Sequence, residues 1–115
     1  MTAEVSFKEA RRRAEKFARE RLSEFDIDAA IPLLDERYEE NSVLWIFFRN
    51  RKIKIPNADA KVSAHEAYAV SKLGAVLGVQ DHFEDGEALR EQMARFEALP
   101  SEKRNRIFRD PKESE

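Results

Sequence analysis

His82 is the residue whose neighbours most invite chemistry. It stands among Asp81, Glu84, Asp85 and Glu87, an imidazole beside carboxylates of the kind that ligate a metal or relay a proton. The other histidine, His65, makes no His-x-x-x-His spacing with it. Acidic residues just ahead of a helix also serve as its cap and as partners of its dipole. That second reading needs nothing further and is the one expected; neither a metal nor a cofactor is. The serines Ser6, Ser23, Ser42, Ser63 and Ser71 lie outside any nucleophile-elbow pattern. Gly74, Gly78 and Gly86 are all the glycines present, so no glycine-rich loop cradles a phosphate. With no cysteine, disulfides, thiol catalysis and Cys-ligated metals are excluded. No catalytic constellation is supported, and the chain is read as a non-enzyme.

Charge is the other resource. Charged residues make up 38% of the chain but sum to −2, which does not mark a dedicated nucleic-acid binder. Arg11-Arg12-Arg13 has Glu9 and Glu15 within one helical turn and reads as a solvated, salt-bridged face. Arg49, Arg51, Lys52 and Lys54 form a denser tract. They are the residues a nucleic-acid-associated accessory protein would use, or else gatekeepers beside an aggregation-prone strand. Acidic residues gather at Glu24, Asp26 and Asp28, at Asp35, Glu36, Glu39 and Glu40, and at Asp81, Glu84, Asp85 and Glu87. If the last two groups meet at one sheet edge, they form a negative patch that speeds association with a cationic partner.

The elements that must carry these groups are legible in the apolar spacing. Val43-Leu44-Trp45-Ile46-Phe47-Phe48 is too short for a stable helix and too apolar for a surface strand, so it predicts a strand buried on both faces. Val43, Trp45 and Phe47 share one face; Leu44, Ile46 and Phe48 share the other. One cover is a helix of the chain; the second is another helix, a second protomer or a partner. Ser6-Phe7-Lys8-Glu9 is a capping box with Val5 stapled to Ala10. It starts a helix over 7–23 with the stripe Phe7, Ala10, Ala14, Phe17, Ala18, Leu22 and Phe25. Leu33–Glu40 predicts a strand with Leu34 and Tyr38 on one side, turning at Asn41-Ser42. Arg51–Ile55 alternates like a half-exposed strand, and Pro56–Asp59 reads as a loop.

Residues 63–80 leave two readings open. One is a helix capped at Ser63-Ala64-His65-Glu66 with the stripe Val70, Leu73 and Leu77, against which Gly74 and Gly78 each cost about 1 kcal/mol. The other is a hairpin of Ala67–Ser71 and Ala75–Val79 turning at Lys72-Leu73-Gly74. Asp85 caps a last long helix with the stripe Leu89, Met93, Phe96 and Leu99, which Pro100 ends. Ser101–Asp110 adds a helical turn carrying Ile107 and Phe108.

The run Leu44-Trp45-Ile46-Phe47-Phe48, the segment Ala67-Tyr68-Ala69-Val70-Ser71-Lys72-Leu73-Gly74, and Asp81-His82-Phe83 leading into Leu89 together resemble the small YrhB-like immunity proteins of bacterial polymorphic-toxin systems. The resemblance spans about residues 6–97. It departs from the family's pattern at Leu44, where a glycine often precedes the Trp, and at Ile55-Pro56-Asn57-Ala58, which replaces a glycine-rich loop. The resemblance tips residues 67–79 toward the hairpin. It also implies a non-catalytic protein that neutralises a cognate toxin by occluding its active site.

At 115 residues the chain is expected to be one α+β domain over 1–110 with a flexible tail at 111–115. The N-terminal helix packs on a three- or four-stranded antiparallel sheet, with the C-terminal helix at an end or on the other face. The expected partner is a cognate protein toxin or another protein met through Asp35, Glu36, Glu39 and Glu40 or Asp81, Glu84, Asp85 and Glu87. A second protomer is the further candidate; nucleic acid and membrane are not expected. Met1–Val5 lacks the apolar core of a signal peptide, so a cytoplasmic location is the default.

Overall fold

A computed structural model describes residues 4–23, 30–53 and 66–108. Four antiparallel strands, β1 (Leu34–Glu40), β2 (Leu44–Arg49), β3 (Glu66–Ser71) and β4 (Val76–Gln80), lie side by side in chain order. Trp45 and Phe47 turn toward the N-terminal helix α1 (Phe7–Arg21), while Leu44, Ile46 and Phe48 turn the other way. The second face is covered by α2 (Gly86–Ala98) and by Phe108, which follows α3 (Ser101–Ile107). Each large apolar side chain so buried contributes about 1.5–3 kcal/mol. Val43 departs from its expected face: it precedes the strand, in the turn, and packs with the Leu44 group.

Ser6 caps α1, its hydroxyl accepting the Glu9 amide at 3.1 Å. The Glu9 carboxylate does not complete the box. It accepts instead from Arg12 (2.9 and 2.6 Å) and Arg13 (2.7 Å), which hold its pKa at about 2. Ala10, Ala14 and Ala18 are fully buried, so the helix axis sits close to the sheet. Phe7 reaches Tyr38, Trp45 and Phe47, and Phe17 meets the Tyr68 ring edge-on at 5.9 Å.

Residues 66–80 form the hairpin. Ala67 and Ala69 face one core and Tyr68 and Val70 the other, so both faces of β3 are buried. Ser71 is bonded across the turn to Ala75 (2.8 Å), and the Gly74 amide closes onto the Ser71 carbonyl (2.9 Å). Gly74 has φ +98°, the left-handed residue that a three-residue hairpin loop requires. Arg13 donates to its carbonyl at 2.8 Å, fastening α1 to the turn.

Leu34 and Tyr38 share a face of β1 as expected, with a bulge between them. The expected strand at Arg51–Ile55 is not formed where it is described. Arg51 and Lys52 make a turn, because the Asn50 side chain accepts the Lys52 amide (3.0 Å) and its carbonyl the Ile53 amide (3.0 Å). Asp85 caps α2 by accepting the Ala88 amide at 3.1 Å, and Leu99 is extended ahead of Pro100. Of the two apolar residues near the end of α3, Phe108 is buried and Ile107 exposed. Phe25, the 56–59 loop, His65 and the 111–115 tail lie outside the described residues. Among the described residues no helix is long and apolar enough to cross a membrane.

Candidate functional site

The two acidic segments touch, through a guanidinium. The β1 bulge aims Arg37 across the Phe48 ring, and its Nη1 donates to the Phe83 carbonyl at 2.6 Å. Arg37 and Arg51 both lie against the Phe83 ring, 4.7 and 4.4 Å from its centroid, and Phe83 meets Phe48 edge-on at 5.2 Å. Arg51 also pairs with Asp81, whose other oxygen accepts the Phe83 amide at 2.8 Å. The result is a cation–aromatic rim that ties the β4–α2 loop to β1 and β2.

Five of the eight expected acidic residues have partners within the molecule. Asp81 pairs with Arg51, Glu39 with Arg37 (3.5 Å) and Glu40 with Lys72. Asp35 accepts the Arg37 amide (3.0 Å), and Asp85 is the α2 cap. Glu36, Glu84 and Glu87 are exposed and make no described ion pair. Glu36, Tyr38 and Glu40 alternate onto the same face of β1 and all are exposed. Tyr38 is 40% exposed, yet its ring centroid lies 4.5 Å from that of Phe7 and 6.0 Å from that of Phe47. It is an aromatic held in place from beneath and open from above.

Neither chemical reading of His82 gains a site. Asp81 and Asp85 have the roles just described, and the His82 carbonyl accepts the Asp85 amide at 3.1 Å. Among the described residues no group of three or more histidine and carboxylate side chains could hold a metal ion. In the basic tract, Arg49 is half-buried; burial, then the charge of Arg51, lowers its pKa. Arg51 is stacked and paired, Lys52 is exposed, and Lys54 lies outside the described residues. A shallow depression on α2 is lined by Gln92, Arg95, Phe96, Ala98 and Leu99, and includes no carboxylate.

Two features escaped sequence reasoning. One is Arg37 as the link between the acidic segments; its lone positive charge within Asp35–Glu40 was the available signal. The other is a polar inclusion on the α1 side of the sheet. Glu66 is buried against Arg21, resting in the space left by the bare backbone of Gly78. Beside it the Tyr68 hydroxyl is buried with no hydrogen-bond partner among the described residues, and burial pushes its pKa up to about 12. The described architecture is thus an α+β fold with an acidic, aromatic-bearing edge. No family model matches the chain, and no curated protein or solved structure matches it either.

Proposed function

We propose that this chain is a protein-binding module that docks a cationic protein surface on the β1 edge, and that it acts as an immunity protein occluding the active site of a cognate toxin. The observation that supports this reading is the row Glu36, Tyr38, Glu40 on one strand face, with Tyr38 propped on Phe7 and Phe47. A rigid, half-open aromatic supplies contact area at little entropic cost, which is what an interface anchor needs. Uncommitted carboxylates at Glu36, Glu84 and Glu87 raise the encounter rate with a basic partner and add little to affinity once docked.

The test is affinity purification of the tagged chain from its native cells, followed by mass spectrometry and titration of the captured partner. The expected result is one stoichiometric protein with a basic face, whose association slows with salt. Tyr38→Ala should weaken that complex by about 2 kcal/mol or more, and Glu36→Lys with Glu84→Lys should reduce the association rate. A complex insensitive to salt and to all three changes refutes this surface, and the absence of any stoichiometric partner refutes the immunity reading.

A further inference from the structure

We propose that the outer edge of β4 is a self-association surface, occupied by β4 of a second copy paired antiparallel about a two-fold axis at Gly78. The hydrogen-bond phase of the sheet determines which groups point outward. The Ser71 amide donates to the Ala75 carbonyl, so Ala75, Leu77 and Val79 direct their backbone groups toward β3. The alternate residues Val76, Gly78 and Gln80 direct theirs away from it. Among the described residues, the Gln92 side chain is what meets this row, donating to the Gln80 carbonyl at 3.1 Å.

An open edge of this kind is normally blunted by charge, proline or a bulge. β1 has such defences in Asp35, Glu36, Arg37, Glu39, Glu40 and its bulge. β4 reads Val-Leu-Gly-Val-Gln, regular and uncharged, with Leu77 and Val79 half-buried. At the turn before it, Leu73 is 43% exposed.

The strand is complementary to itself. An antiparallel pair centred on Gly78 sets Val76 opposite the second copy's Gln80 and Gly78 opposite its own image. All three outward-facing residues then fall at hydrogen-bonded positions. Leu77 falls opposite the second copy's Val79, at the closely spaced non-bonded position where apolar cross-strand pairs contribute most. Gly78 places no side chain on the axis. β1 lies at the opposite edge of the sheet, so this surface does not depend on the cationic-partner reading.

Sedimentation velocity across a concentration series of the purified chain tests the proposal. A dimer of the 13.4 kDa chain is expected, dissociating at or below roughly 100 µM. Val76→Pro removes an outward N–H, a change an edge strand tolerates, and should weaken the dimer at least about tenfold. Gln80→Pro, at an exposed position, should act in the same direction and guards against a folding defect in the first variant. Because the chain has no cysteine, Leu77→Cys combined with Val79→Cys should give an intermolecular disulfide on mild oxidation. A monomer at roughly 100 µM overturns the proposal. So does a dimer that forms no such disulfide, or one unaffected by both proline changes in variants that melt like the parent.

Discussion

On one side of the sheet a helix approaches closely because its contact stripe is alanine; on the other, α2 reaches down with long side chains. Ala10, Ala14 and Ala18 bring the α1 backbone close to β2, β3 and β4, and Phe7 and Phe17 fill the space at the flanks. Leu89, Met93, Phe96 and Phe108 bridge a wider gap to Leu44, Ile46 and Phe48. Ser42 helps hold α2 at its far end, donating its amide and hydroxyl to Glu97 and so keeping that carboxyl below its ordinary pKa. A close-packed seam made of small residues has no slack, whereas one made of flexible side chains can re-pack. The two faces should therefore answer differently to changes of similar chemistry.

The largest effects come from emptying each face. Trp45→Ala on the α1 side should cost about 3–5 kcal/mol in urea denaturation. Phe48→Ala on the α2 side should fall at the lower end of that range, because Phe83 and Met93 can move into the space. Equal losses would break the contrast. Overfilling sharpens it: Ala14→Leu should cost about 1–3 kcal/mol, and Met93→Leu under about 1.5 kcal/mol.

Titration separates the buried side of α1 from its solvent side. The raised Tyr68 pKa means that the folded state holds this proton more tightly than the unfolded chain, whose tyrosine titrates near 10. The corresponding stability is fully present below pH 10 and is lost as pH rises toward about 12, on the order of 2–3 kcal/mol. Tyr68→Phe should abolish that alkaline loss and leave neutral-pH stability unchanged or up to about 1 kcal/mol higher, since the hydroxyl has no hydrogen bond to lose among the described residues. At the solvent side of α1 the sign reverses. Glu9 is depressed to about 2, so its contribution is present above its ordinary value of 4.5 and disappears as pH falls toward about 2. Glu9→Gln should remove this small acid-side dependence, read as a flatter Tm profile at low pH.

The elements that share one local period were readable in advance. The α1 stripe from Phe7 to Ala18, the Leu44–Phe48 run and the Asp85 cap each combine a repeat with a boundary residue, and each appears where expected. Residues 66–80 were ambiguous because Val70, Leu73 and Leu77 fit a helical stripe, while Gly74 is equally a helix breaker and a hairpin residue. Burial of β3 on both faces, a property of the assembled sheet, decides between them. Alternation misled at residues 51–53 because it was visible and the Asn50 turn was not; a side-chain bond to a backbone amide leaves no periodic trace. The partners of the acidic residues were illegible for a related reason. Asp81 meets Arg51 and Glu66 meets Arg21 across long stretches of chain, and neither pair has a spacing that announces it.

The Arg21–Glu66 pair has a temporal side. Its members are 45 residues apart, and Arg13 likewise reaches 61 residues ahead to Gly74. During synthesis at about 5–20 residues per second, α1 emerges roughly 2–9 s before the strand that clamps its far end. A helix of 15 residues is marginal when alone in water. Until the β3–β4 hairpin exists, then, α1 is a fluctuating, highly charged segment kept dissolved by its arginines and glutamates. Its alanine seam acquires the whole of the surface it closes upon only when the second half of the sheet arrives.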